Sequence, residues 1–327
     1  MASALSHKAR LAYGSLRRGR NRLSNLIDPP VVVLLYHRVT SLPSDPQLLA
    51  VTPAHFRSHL QFLKERYRIV RFDEEWANLK EPAVAITFDD GYADNLLEAL
   101  PILEEERVAA TFFVSTGTIG TRREFWWDEL ERIVFAPTPL PTDFRLTDRR
   151  LDRRWPTQTL PQRERLYRDL LALLMQTGPA QRETWFGRLR EWGGLGSAGR
   201  AAYRALTKAE VKALAQSDLV TIGAHTASHT PLSILAEEEQ RREIAGSKLE
   251  LETLTGAEVR VFSYPFGRKC EYNRTSLRIC REAGFAKAAA NFPGQAHRWT
   301  DPLQVPRQLV RDWDIDRFAA AMEEAWV

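Results

Sequence analysis

Continuous apolar runs separated by amphipathic stretches restrict this chain most. Residues 31–36 read Val-Val-Val-Leu-Leu-Tyr and residues 84–88 read Val-Ala-Ile-Thr-Phe. A strand with one wet face alternates apolar and polar residues. An unbroken β-branched run is buried on both faces, as in parallel sheets and barrels. Further runs predict strands at 110–115, 219–223, 260–264, 287–291 and 303–310. Helical spacing predicts helices at 54–67, 93–106, 208–216, 236–254, 276–283 and 315–325. In the second of these Leu96, Leu97, Leu100 and Leu103 share one stripe. Strands alternating with helices imply βα units. About seven strands predict a distorted (β/α) barrel of parallel strands rather than a small open sheet.

Two segments stand outside this rhythm. Residues 1–30 form a basic arm, in which Lys8, Arg10, Arg17, Arg18, Arg20 and Arg22 precede the first acidic residue and Pro29-Pro30 close the segment. The barrel then occupies 31–327. Within it, 117–207 predicts a helical insertion in one βα loop, with Phe125-Trp126-Trp127-Asp128, proline-rich pieces and helical spacing at 162–175 and 181–192. A loop this long is a lid, a substrate wall or packing decoration.

Composition narrows the function classes. A chain of 327 residues, 44% hydrophobic and 27% charged, carries a net charge of only +4 and no nucleic-acid-binding motif, so no nucleic-acid partner is expected. The two cysteines, Cys270 and Cys280, form no C-x-x-C pair and give no zinc-knuckle or redox signal. No apolar run approaches the ~20 residues of a spanning helix. No apolar stretch follows the basic start before Val31, so no secretory leader is expected. The chain reads as cytoplasmic, with the arm suited to the anionic inner face of a membrane.

Chemistry gathers at predicted strand ends. Thr87-Phe88-Asp89-Asp90-Gly91 places two carboxylates directly after a buried strand, at the end of a parallel strand where functional residues collect. Neighbouring strand residues face opposite ways, so both serve one site only if the chain turns there, which Gly91 permits. Adjacent carboxylates repel unless a cation or proton sits with them. The plainer reading is a cap on the next helix. His225-Thr226-Ala227-Ser228-His229 follows another buried strand and holds two of the chain's seven histidines. Two surface histidines are the plainer reading, since His55 and His59 share the spacing without a strand end or carboxylate beside them. Taken together, Asp90, His225 and His229 supply the three protein ligands of a catalytic zinc-type site, and Asp89 is left as a base. Ser263-Tyr264-Pro265-Phe266-Gly267 closes a third strand, with a turn able to aim backbone N–H groups at one point, as an oxyanion hole requires.

These three motifs, in this order, resemble the polysaccharide deacetylase family, the nodulation-type chitooligosaccharide deacetylases of carbohydrate esterase family four. The resemblance spans about 31–310, interrupted by the insertion. It implies a distorted barrel and one divalent metal, Zn2+ foremost, with Co2+, Ni2+ or Mn2+ as alternatives. It makes Asp89 the general base and Asp90, His225 and His229 the ligands, and it puts the Phe266 N–H in the oxyanion hole. The implied substrate is an N-acetylated glycan or polysaccharide. Tyr264, Pro265, Trp127 and Arg307 are expected at the substrate-binding surface. Two family features are missing: the arginine that opens the third motif and orients the base, and a late Leu-x-His whose histidine is the general acid. The late strand reads Val305-Pro306-Arg307-Gln308-Leu309-Val310, and arginine delivers no proton at ordinary pH. Resemblance to the biofilm poly-N-acetylglucosamine deacetylase branch points to His37, at the end of the first strand, as the acid. The plainer alternative is a partner of Asp89. Two other functions stay open: deformylation or other C–N hydrolysis on a lipid-linked sugar, and a catalytically silent carbohydrate-binding barrel.

Overall fold

The architecture was analysed in a computed structural model that describes residues 24–148 and 151–326. Most of the basic arm lies outside the described residues. Seven short parallel strands carry the fold: β1 (Val31–Tyr36), β2 (Ala83–Phe88), β3 (Ala110–Val114), β4 (Val220–Ala224), β5 (Val261–Ser263), β6 (Lys287–Ala289) and β7 (Gln308–Leu309). They lie side by side in the order β6-β5-β4-β3-β2-β1-β7. An eighth, two-residue strand, Arg68–Ile69, pairs beside the start of β2. The two edges meet through a parallel bridge between Ala289 and Val305, where Val305 N–H donates to Ala288 O at 2.9 Å.

Side-chain parity then sorts the residues. Val31 and Val33 of β1, Ala83 and Ala85 of β2, Phe113 of β3 and Val261 of β5 pack together in the barrel interior. Small residues dominate there because a seven-stranded barrel is narrow. A Cβ on Gly223 would sit 2.4 Å from the Phe113 ring. The opposite parity, including Val32, Leu34, Val84, Ile86 and Phe112, packs outward against the surrounding helices. Two of those helices are α1 (Pro53–Arg66), capped by Thr52, and α2 (Leu100–Glu106), entered through a π-helical turn at Asn95–Ala99. The predicted helix over 93–106 is thus split, and neither Asp89 nor Asp90 caps it.

The insertion contains three helices, α3 (Trp126–Val134), α4 (Leu160–Met175) and α5 (Pro179–Gly193), and an antiparallel hairpin of Asp143–Asp148 with Leu151–Pro156. The hairpin was not predicted. Its inward residues, Phe144, Leu146 and Trp155, join Leu166, Leu170, Phe186 and Leu189 in a second apolar core that also takes in Trp127 and Tyr92. The insertion is therefore seated on the rim of the barrel rather than hanging from it. The chain returns through α6 (Lys208–Leu214), α7 (Glu237–Thr255), α8 (Arg274–Glu282) and α9 (Ile315–Ala325). The last predicted strand, 303–310, shrinks to two residues, because a 3-10 turn occupies Pro302–Gln304 and Pro306 has no N–H for a ladder. No helix among the described residues is long and apolar enough to cross a membrane.

Candidate active site

Parity places Thr87 and Asp89 on the interior face at the end of β2, together with Ser263 of β5 and Arg307 just before β7. All four are buried. Arg307 Nη1 donates to Asp89 Oδ1 at 2.7 Å and Nη2 to Oδ2 at 2.6 Å, a two-pronged pair. The guanidinium also donates to Thr87 Oγ1, Ser263 Oγ and Ala290 O. The Ser263 hydroxyl itself donates to Asp89 Oδ2 at 3.1 Å. Burial alone would push Asp89 up. The charge and hydrogen bonds of Arg307, with the nearby His225, outweigh it and hold the carboxyl below its usual range.

Asp90 has the opposite parity and should face the helices. It reaches the site because the strand ends there in a left-handed backbone, φ +77° at Asp90 and +87° at Gly91. Gly91 is required by space as well, since a Cβ would stand 2.8 Å from Val114 Cγ1. The second motif bends in the same way, with Thr226 at φ +61° and His229 at +48°. Glu243 of α7 holds this bend by accepting from the Ala227 and Ser228 N–H groups at 2.9 and 2.8 Å and from the Ser228 hydroxyl at 2.6 Å. From the other side Arg182 of α5 donates to Ser228 O and Thr230 Oγ1.

The result is a buried cluster. One ligand atom each from Asp90, His225 and His229 lies within 4.8 Å of the others. His229 Nε2 stands 3.2 Å and His225 Nε2 3.5 Å from Asp90 Oδ1. His225 Nδ1 lies 2.7 Å from Ser263 O. Since a carbonyl only accepts, Nδ1 carries the proton and Nε2 offers its lone pair to the centre. Yet His225 Nε2 and Asp90 Oδ1 are both buried without a hydrogen-bond partner. Orphaned buried acceptors are costly. One carboxylate and two imidazoles converging with unused lone pairs suit a divalent ion. Burial pushes Asp90 up, but the two histidines beside it pull it far below the ordinary carboxyl value.

A cavity of about 520 Å³ opens over this cluster. His37, Asp89, Asp90, Trp127, His229 and Phe266 line it. His37 Nδ1 is buried without a partner, and its ring is pushed to lower pKa by burial, against the raising charges of Asp90 and Asp89. Trp127 lies edge-on to His229 at 4.6 Å between centroids and donates its indole N–H to Tyr92 Oη at 2.8 Å. Phe266 also lies edge-on to His229, at 4.7 Å, and has φ +59°. Its N–H makes no hydrogen bond to the described residues.

Three expected substrate contacts do not reach the cavity. Tyr264 has the opposite parity to Ser263, stacks on Tyr272 and donates to Leu303 O, so it belongs to the outer core. Pro265 is buried in the turn. Arg307 is 1% exposed, with every N–H committed beneath Asp89. The place of the arginine missing from the third motif is thus taken by the residue just before the last strand. Glu243 and Arg182, which hold the histidine bend, carried no sequence signal beyond being charges on amphipathic helices.

A parallel barrel with a buried Asp/His/His cluster that could hold a metal ion, and a second, arginine-clamped carboxylate at its mouth, defines the class as a β/α-barrel protein with its chemistry at the strand ends. The sequence model of the polysaccharide deacetylase family matches residues 77–139 and 184–288, half of the chain, and leaves out the hairpin and α4. The chain belongs to the polysaccharide deacetylase family. YxkH of Bacillus subtilis, provisionally named a polysaccharide deacetylase, is 22% identical over 273 residues, 81% of this chain and 66% of the relative, so the chain spans just under two thirds of that protein. Among solved structures, IcaB from Ammonifex degensii superposes with a TM-score of 0.58 at 20% identity, covering 91% of this chain and 98% of that one. The Streptococcus pyogenes deacetylase PplD, in complex with acetate, gives 0.56 at 19%, covering 90% and 99%. A polysaccharide deacetylase from Bacillus cereus gives 0.58 at 18%, covering 90% and 69%. These likenesses establish the (β/α) barrel.

Proposed function

We propose that the chain is a metal-dependent hydrolase that removes N-acetyl groups from an amino-sugar glycan. The observation that carries this reading is the convergence of Asp90 Oδ1, His225 Nε2 and His229 within 4.8 Å, two of these atoms orphaned, beside the clamped Asp89. Asp90, His225 and His229 would hold the ion, zinc being the best match to one carboxylate and two imidazoles. A divalent ion there supplies Lewis acidity and lowers the pKa of water.

The chain's own residues divide the remaining work. Asp89, kept ionised by Arg307, takes the proton of the attacking water. The unpaired Phe266 N–H donates to the oxygen that gains charge in the tetrahedral intermediate. His37, facing the same cavity, delivers a proton to the departing amine nitrogen. Trp127 and Phe266 pack against His229 and keep the ligand ring dry. The acetate complex of PplD, a structural relative, agrees with an acyl product of this size.

The test is elemental analysis of purified protein, paired with acetate release from N-acetylglucosamine oligomers before and after chelation. About one metal per chain with chelator-sensitive release is the expected result. Metal without acetate from any N-acetylated glycan would overturn the deacetylation reading. A chain that retains no metal on zinc loading would overturn the ligand assignment.

A further inference from the structure

One cation of the active-site cavity has no carboxylate partner among the described residues. Asp89 is neutralised by Arg307 and Glu271 by Arg268, whose guanidinium donates to Glu271 Oε1. Asp90 faces the two histidines. Arg311 lines the same cavity and pairs with no carboxylate among the described residues. The nearest acidic influence is Asp45, but its two oxygens accept from the Leu49 and Ala50 N–H groups. The chain before residue 24 contains no acidic side chain at all.

Arg311 is half-buried and its orientation is set. Nη1 donates to Gln47 O at 2.7 Å and to Leu48 O. Nε and Nη2 have no acceptor among the described residues. These two atoms form one edge of the guanidinium, with parallel N–H groups that fit two oxygens of a carboxylate or phosphate. Leu49 and Leu309 line the cavity with it, and such apolar neighbours lower the local dielectric and strengthen a charge pair.

We propose that Arg311 receives an anionic group, phosphate or carboxylate, carried by the substrate's sugar, so that the cavity selects acidic amino-sugar glycans over neutral ones. This rests on the deacetylase reading only for the sugar half of the ligand. An acidic group docked on the free edge of Arg311 sets the sugar's position relative to Asp89 and His37, so the same contact is a specificity determinant.

The experiment uses three probes, N-acetylglucosamine, N-acetylglucosamine 1-phosphate and N-acetylmuramic acid, titrated calorimetrically into chelator-treated protein. A charge-assisted, two-pronged contact predicts that one acidic probe binds about 10-fold or more tighter than the neutral sugar. The preference should fall several-fold as salt rises from about 0.05 to 0.5 M. Arg311→Ala should reduce it to under about 3-fold. Arg311→Gln tests the same loss while keeping a donor toward the 47–48 carbonyls, which guards against a loosened loop. A stronger response to the phosphate identifies a phosphorylated sugar, and to the muramic acid a carboxylate-bearing one. Equal wild-type affinities for all three probes, or a preference that survives Arg311→Ala, would overturn the proposal. Acetate release by the metal-loaded enzyme is followed in parallel. Selective binding without acetate keeps Arg311 and removes the deacetylase reading. Release at equal kcat/KM from neutral and acidic substrates does the reverse.

Discussion

Replacing Arg307 by Met keeps the volume and removes five hydrogen bonds, two of them to a carboxylate at 2.6 and 2.7 Å. Asp89, 4% exposed, is then left with Ser263 as its remaining partner and no cation except the histidines. Breaking one side of a buried ion pair costs about 3–5 kcal/mol. The loss depends on pH in a definite direction. In the wild type the folded-state pKa of Asp89 lies below its unfolded value, so the pair contributes above the unfolded pKa and is lost in acid. In the variant burial is opposed only by Ser263 and the histidines, and Asp89 rises. The folded state then binds a proton that the unfolded state releases, and stability falls as pH rises. The deficit should therefore be larger at pH 8 than at pH 5. Urea unfolding followed by the fluorescence of the nine tryptophans measures it. A double-mutant cycle with Asp89→Asn should return a coupling of about 2–4 kcal/mol, since the amide no longer requires a cation. The acidic limb of acetate release should also move to higher pH. Wild-type stability in Arg307→Met, or strict additivity in the cycle, would refute the reasoning.

Other expectations follow from the same geometry. Glu243→Gln keeps the shape but weakens the acceptor that holds the 226–229 bend, and should lower metal affinity about 10–100-fold with the ligands intact, read by competition with a chromogenic chelator. Gly267→Ala places a Cβ 2.6 Å from Asn291 N at φ +68°, so it should destabilise the Phe266 turn by about 1–3 kcal/mol in thermal unfolding. Hydrogen bonds from Arg204 hold Glu210 down to about 2. Its contribution, about 1 kcal/mol after discounting for partial exposure, is complete above its unfolded value and vanishes as pH falls toward 2. Glu210→Gln should therefore lower Tm at pH 7 but not near pH 2.

Much of this molecule could be read without coordinates, for physical reasons that also mark where reading stops. Buried parallel strands advertise themselves because both faces are apolar, and Asp89 and His225 stood out because each ends such a run. The hairpin at 143–156 escaped because a rim strand with charges outward, as in Asp-Phe-Arg-Leu-Thr-Asp, resembles a polar loop. Tyr264 was misplaced by neglecting parity, since Ser263 already occupied the interior face. The role of Arg307 depends on β7 returning beside β1, and local spacing cannot disclose which strands become neighbours. A charged residue next to a strand that closes a barrel is nevertheless a signal that an opposite charge waits inside.

Arg182 gives the insertion a standing that its place in the chain conceals. It rises from α5, is buried over the Trp126 ring, and reaches the backbone of the bend that carries His229. Burial lowers it to about 10 while Glu243, on the far side of the same bend, draws it back up. The ligand loop is thus gripped between a barrel helix and an inserted one. A loop held this way is not a modular graft. Trimming the insertion to the length of a minimal relative, or exchanging it to redirect specificity, would release one jaw of the clamp and leave Glu243 holding the loop alone. Under the proposed function, substrate walls and metal geometry then change together, and redesign of one has to include the other.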